Sequence, residues 1–261
     1  MYPFFEVFSW IYIYTFWLTL VISFFAFLWM LKRLSHRFWI NTTFFFNRII
    51  WYFLSVFIFS RLFYVISNWN EFRFIGKPLE FFLMSDYNFS LMGAIFWFLL
   101  VLFISIILHW LRSWKYMDVS VLSLLFVLPI WYIWTLLWGQ VYWKETHFWI
   151  EILYTNVFSP VPYQVPVFPL PIVYALVFFL LFSALYMISM FVKVRWIIGY
   201  IWIIIFSSII LYLETFSWRY DFFRISLWFN FTQICAVVLI IFWFFGLYRI
   251  YKNPQKQSWI E

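Results

Sequence analysis

The chain has 261 residues, of which 67% are hydrophobic and only 10% charged, with a net charge of +7 and a mean hydropathy of +0.94. So few polar side chains cannot cover the outside of a soluble domain, and the basic residues lie in short connections between apolar runs, which does not point to nucleic acid. The single cysteine, Cys235, excludes an intrachain disulfide and any cysteine-rich metal site. Apolar runs of 18 or more residues make helices, not a barrel, the spanning element. The expected fold class is all-α: a polytopic integral membrane protein forming one seven-span domain over residues 1–261.

In chain order, hydropathy predicts spans at Phe8–Leu31, Ile49–Ser67, Leu91–Leu108, Val119–Trp138, Leu170–Val192, Trp196–Leu213 and Phe229–Tyr248. Glu6 stands where a signal peptide would carry its basic segment, and the first run is long, so that run is expected to stay in the membrane. Pro129 should kink the fourth span by removing a backbone hydrogen bond. Pro169 and Pro171 suit a helix that starts there. Five glycines against 40 phenylalanines, 20 tryptophans and 18 tyrosines predict that bulky rings, not small residues, fill the gaps between helices and hold them apart.

Lys32, Arg33, Arg37, Arg48, Arg112, Lys115, Lys193, Arg195, Arg249, Lys252 and Lys256 fall in alternate connections and the C-terminal tail, beside only two acids, Asp118 and Glu261. The other connections hold Arg73, Lys77, Lys144, Arg219 and Arg224, with Glu6, Glu71, Glu80, Asp86, Glu145, Glu151, Glu214 and Asp221. Positively charged connections stay in the cytoplasm, so the N-terminus is expected outside and the C-terminus inside. The outer segments, 68–90, 139–169 and 214–228, are longer and richer in polar side chains. A substrate that arrives from the outer face or outer leaflet is the economical reading.

Zinc-protease, CxxC, glycine-rich phosphate and GxSxG patterns do not occur. Of the three histidines, His36 lies in the basic inner connection and His109 closes the third span, whereas His147 sits on the outer face near Lys144 and Glu145. General bases are most often histidine, which makes His147 the chemical candidate among them. Arg61, in Ser60-Arg61-Leu62-Phe63-Tyr64-Val65, is a charge inside an apolar run, which costs roughly 2.5–3.5 kcal/mol at bilayer depth on insertion scales. It either serves function, snorkels to the outer headgroups, or pairs with a carboxylate to hold two helices together. No inverted repeat points to a transporter.

Taken together, these features resemble the prolipoprotein diacylglyceryl transferase family of bacterial seven-span enzymes. Tyr2-Pro3 with Phe8-Ser9 looks like the family's opening, and Ser60–Val65 is similar to its Gly-Arg-(Ile/Leu)-Gly-Tyr-Val. Pro78-Leu79-Glu80 is similar to the Pro-Leu element that follows, and Asp86–Ala94 to Ser-Phe-His-Gly-Gly-Leu-Ile-Gly-Ala. Leu128-Pro129 matches a proline of the fourth span, and Trp138-Gly139 to Glu145 falls where the family has Gly-Asn-Phe-Ile-Asn-Gly-Glu. Pro169 to Tyr174 resembles His-Pro-Ser-Gln-Leu-Tyr with one extra residue. Leu211–Phe216 with Arg219 and Asp221 resembles Val-Glu-Phe-Phe-Arg-x-Pro-Asp, and Phe231–Ile234 resembles the Met-Gly-Gln that opens the last span. The chain departs from the family where its histidine falls on Asn88, and where two arginines and an asparagine fall on Leu136, Ile210 and Gly139.

The resemblance implies transfer of a diacylglyceryl group from phosphatidylglycerol to the lipobox cysteine of a prolipoprotein signal peptide, forming a thioether in the bacterial cytoplasmic membrane without cofactor or metal. Such a site needs a cation for the phosphodiester, a base for the thiol and an opening to the bilayer. Arg61 is the first candidate cation and Arg219 the second, because guanidinium binds phosphate bidentately and stays charged when buried. Tyr64, Asn88, Tyr174 and Gln233 complete the implied substrate-binding set. Glu214, Glu145 and His147 are the candidate bases, in that order, while Glu214 alternatively pairs with Arg61 or Arg219 as a structural ion pair. Replacement of the family's histidine and arginines keeps open a second reading, a non-catalytic relative that binds lipid or a membrane partner.

Overall fold

Runs of Ile, Leu, Phe and Val offer the backbone no competing polar side chains, so in hydrocarbon the peptide groups must pair within the segment, as helix. The computed structural model describes residues 4–8, 11–67, 89–109, 115–139, 150–155, 165–191, 197–216 and 231–252. The elements are β1 (Phe4–Phe8), β2 (Ile11–Tyr14), α1 (Thr15–Arg37), the short α2 (Thr43–Phe46), α3 (Ile49–Ser67), α4 (Leu91–Leu108), α5 (Lys115–Trp138), β3 (Ile152–Leu153), β4 (Pro166–Val167), α6 (Leu170–Phe191), α7 (Ile197–Leu213), a 3-10 turn (Glu214–Phe216) and α8 (Phe231–Lys252). Among the described residues five helices, α1, α3, α4, α5 and α6, are long and apolar enough to cross a membrane. The 18 residues of α4 and 23 of α1 span about 27 and 34 Å at 1.5 Å per residue, against a hydrocarbon core of about 30 Å. Apolar stretches Ile198–Leu213 in α7 and Thr232–Ile241 in α8 are shorter. The protein is therefore a helical membrane protein.

The predicted bounds of several elements change. The first run does not enter the membrane as helix at Phe8: β1 and β2 pair antiparallel, Phe4 opposite Tyr14 and Phe5 opposite Ile13, and α1 starts only at Thr15. Phe-Phe-Glu-Val-Phe and Ile-Tyr-Ile-Tyr are aromatic and β-branched throughout, side chains that suit a pleated ribbon better than a helix. With β3–β4, this ribbon departs from an all-helical chain. At its other end α1 runs past Leu31 to Arg37, so Lys32, Arg33, His36 and Arg37 lie on its last turns, where cations complement the helix dipole. Helix α5 runs through Pro129 as one continuous element and begins four residues before the predicted Val119. Helices α3 and α4 match their predicted bounds, and α6 starts between Pro169 and Pro171 as expected.

The chain divides into two compact units, the first holding β1, β2, α1, α5 from Val119, β3, β4 and α6, the second α2, α3, α4, the start of α5, α7 and α8. In the first, Phe16 meets Trp131 edge-on with ring centroids 6.0 Å apart and Trp29 meets Phe126 at 5.7 Å, so α1 and α5 run antiparallel. Tyr132 stacks on Tyr174 at 4.5 Å and Phe126 meets Phe182 at 5.4 Å, which sets α6 antiparallel to α5. Beyond α5, Gly139 takes a left-handed conformation (φ 79°) and its N–H donates to the Thr135 carbonyl at 2.9 Å, the usual glycine helix stop. The Tyr154 hydroxyl donates to the Leu136 carbonyl at 2.9 Å, and Tyr154 packs on Val167 of β4, so the β3–β4 ribbon closes the end of α5.

In the second unit α3 and α4 form one antiparallel pair and α7 and α8 another. The expectation that rings alone set helix spacing holds for Phe59 and Trp97, which stack flat at 3.7 Å. It fails at Gly93, where a Cβ would lie 2.6 Å from the Phe63 Cβ and 3.2 Å from the Phe59 carbonyl oxygen. That close approach admits only glycine. On the outside, Phe25, Leu176, Phe179, Leu180, Ile241 and Phe244 remain exposed, an apolar surface that water would penalise and acyl chains cover.

Candidate functional site

Helix α3 carries a single charge, Arg61, the thirteenth of its 19 residues, among apolar residues and three serines. From there to the helix end at Ser67 is about 9 Å along the axis, which sets the guanidinium stem within the apolar span. Arg61 is only 6% exposed, and its guanidinium carbon lies 5.7 Å from the centroid of the Tyr64 ring, one turn further on and equally buried. The ring face offers negative quadrupole to a cation in a poorly hydrated place, worth about 2 kcal/mol when desolvated. Neighbouring α4 is pinned to this point: the Ser90 N–H donates to the Ser60 carbonyl at 3.0 Å, the acceptor of the peptide unit that leads into Arg61. Ser90 is also the N-cap of α4, its hydroxyl accepting from the Gly93 N–H at 3.2 Å. The positive end of the α4 dipole thus begins beside the Ser60–Arg61 peptide.

The remaining described candidates take other places. Gln233, 2% exposed on α8, donates from Nε2 to the Leu211 carbonyl at 3.2 Å and so covers a carbonyl in the last turn of α7. Glu214 follows that turn, partly exposed, at the start of the 3-10 segment. Tyr174 belongs to the first unit, 1% exposed in a cluster of near-parallel rings with Tyr132 and Phe178. Asn88, Glu145, His147 and Arg219 lie outside the described residues. Arg61, Tyr64, Glu214 and Gln233 share the second unit, while Tyr174 does not.

Asp118 is the residue that sequence reasoning misplaced. Counted as an acid of an inner connection, it is 4% exposed on the first turn of α5, and its Oδ1 accepts the Gly199 N–H of α7 at 2.8 Å across 81 residues. A carboxylate at one helix start therefore satisfies an N-terminal donor of another, a charge-assisted bond. The signal available in sequence was an acid at a predicted helix start; its partner left none. Tyr154 is a second omission: burial pushes its hydroxyl above the ordinary tyrosine range, so it remains a donor to Leu136. Among the described residues no group of His, Cys, Asp or Glu is placed to hold a metal ion.

Neither the models of known protein families nor the curated proteins match this chain. A buried guanidinium over a tyrosine ring, on a helix whose Ser60 carbonyl holds the N-cap residue of α4, is a cation of the kind that binds phosphate or carboxylate; by itself it supplies no base.

Proposed function

We propose that this protein binds the phosphate of an anionic phospholipid, phosphatidylglycerol by resemblance, at Arg61, in a chain that spans the bacterial cytoplasmic membrane seven times with its N-terminus outside. The observation that carries the reading is Arg61 itself, a charge 6% exposed within an apolar helix and stacked on Tyr64, where holding it without use is expensive. The topology gains support from contacts within each unit. Phe44 meets His109 and Tyr116, and Asp118 meets Gly199, which brings α2, the end of α4, the start of α5 and the start of α7 together at one end of the second unit. In the first unit Arg37 donates to the Tyr186 hydroxyl, joining the ends of α1 and α6 that the charge bias assigns to the cytoplasm.

The activity we propose is diacylglyceryl transfer. A lipobox thiol gives its proton to Glu214, with Glu145 and His147 the alternative bases, and the sulfur attacks the glycerol carbon of phosphatidylglycerol. The carbon–oxygen bond breaks, a thioether forms, and glycerol phosphate leaves with its charge held by Arg61. Thiolate is the nucleophile, so a base is required at neutral pH. A non-catalytic lipid-binding relative is the second reading, favoured by a specific observation. The positions of the two family arginines are Leu136 and Ile210, and Ile210 is buried in α7 while the Leu136 carbonyl is committed to Tyr154.

Purified protein in vesicles, given phosphatidylglycerol with a labelled acyl chain and a lipobox peptide, tests both. Label on the peptide cysteine establishes the transferase. Labelled lipid that binds but is not transferred leaves the second reading, and binding unchanged in Arg61→Ala removes Arg61 from the site and sinks both.

A further inference from the structure

The last two turns of α1 place Arg33 and Arg37 four residues apart on one helix face, both exposed. Each lies against a ring. The Arg33 guanidinium carbon is 5.4 Å from the centroid of Trp29, and that of Arg37 is 4.9 Å from Tyr186, whose hydroxyl also accepts from Arg37 Nη1. The rings belong to one connected chain: Trp29 meets Phe126 at 5.7 Å, Phe126 meets Phe182 at 5.4 Å, and Phe182 meets Tyr186 at 5.6 Å. The two arginines therefore sit at the two ends of an aromatic path that crosses α1, α5 and α6, all within the first unit. Among the described residues neither has a carboxylate partner, and Lys32 and His36 on the same turns are exposed as well.

A cation that only complements the helix dipole needs no such seat, since a mobile lysine serves as well. Stacking removes part of the rotamer freedom of arginine and leaves its planar fork turned to the surroundings, the arrangement that suits bidentate recognition of phosphate. The position, at the end of an apolar span, is the depth of lipid phosphates. We propose that Arg33 and Arg37 form a second binding site, for the phosphate of an anionic phospholipid in the leaflet at the C-terminal end of α1. This site is separate from Arg61, which lies in the other unit. It holds a resident lipid that ties α1 to α6 rather than a substrate.

The test is native mass spectrometry of delipidated full-length protein titrated with phosphatidylglycerol, phosphatidylcholine or inorganic phosphate, for wild type, Arg33→Gln/Arg37→Gln, Arg33→Lys/Arg37→Lys and Arg61→Ala. At about tenfold or more from two juxtamembrane cations, wild type should prefer phosphatidylglycerol to phosphatidylcholine, and Arg61→Ala should keep that preference for one bound lipid. The glutamine pair should remove one preferred lipid and leave the one at Arg61, abolishing the preference only when combined with Arg61→Ala, and the lysine pair, which preserves charge, should retain only a part. Equal affinity for the two lipids in wild type overturns the proposal, as does an undiminished preference in the glutamine pair or full retention in the lysine pair. Competition by inorganic phosphate at the same affinity as lipid also overturns it, since the occupant would then be a free anion.

Discussion

Arg61 and Arg37 are both arginines laid on a tyrosine ring, yet they are held in opposite ways. Arg61 is 6% exposed within α3, with its ring one turn along the same helix. Arg37 is exposed at the end of α1, and its ring belongs to α6, a different helix. A buried cation gains strongly from each contact because the surroundings are poorly polarisable, and loses as strongly when a partner is removed. A rim cation shares its charge with water, so its contacts orient it more than they stabilise it. Depth, more than residue type, therefore decides what a polar side chain in this protein is worth.

The largest effect expected from that contrast is on Arg61. In an Arg33→Gln/Arg37→Gln background, Arg61→Ala should lower phosphatidylglycerol binding in vesicles at least about a hundredfold, taking buried charged contacts at about 3 kcal/mol or more. Arg61→Lys should recover only part, because an ammonium lacks the planar fork. Next comes Asp118. Replacement by leucine leaves the Gly199 N–H without its acceptor and should reduce stability in detergent by about 2–3 kcal/mol, read from thermal unfolding. Asparagine, which keeps an acceptor oxygen, should cost less, and equal losses for the two would show that the charge, not the acceptor, matters. Gly93→Ala should cost about 1–3 kcal/mol by forcing α3 and α4 apart, and an unchanged melting temperature would place that contact elsewhere.

Tyr154 is intermediate between the extremes, buried but outside the membrane-spanning helices. Tyr154→Phe should cost about 1 kcal/mol, the net worth of one hydrogen bond. Because burial raises its pKa above the unfolded value of about 10, the folded state holds its proton longer than the unfolded chain does. Its contribution is thus complete below about pH 10 and declines as pH rises beyond it. Wild type should lose stability relative to Tyr154→Phe through that range; parallel curves would refute the burial argument. The smallest effect belongs to the rim: Arg37→Gln should change stability by about 0.5 kcal/mol, with its consequence confined to lipid preference.

What residue order alone determined is the solvent. Transfer of so much apolar side chain to water is prohibitive, so hydropathy located α3 and α4 to the residue and the start of α6 at its prolines. It also singled out Arg61, because a charge in a hydrocarbon run is visible without any structure. Hydropathy is blind to backbone pairing, however: the side chains of Phe4–Tyr14 are equally apolar as ribbon or helix, and only the pairing of β1 with β2 decided between them. Nor does it give a helix a facing side. Helices such as α4 and α7 are apolar around their whole circumference, so no polar stripe specifies which residues meet a neighbour. The bond from Gly199 to Asp118, the approach at Gly93, the bond from Gln233 to Leu211 and the ring path from Arg33 to Arg37 all depend on that rotation. Packing of one helix against another sets it, through contacts between residues far apart in the chain, and so it was legible only in the folded protein.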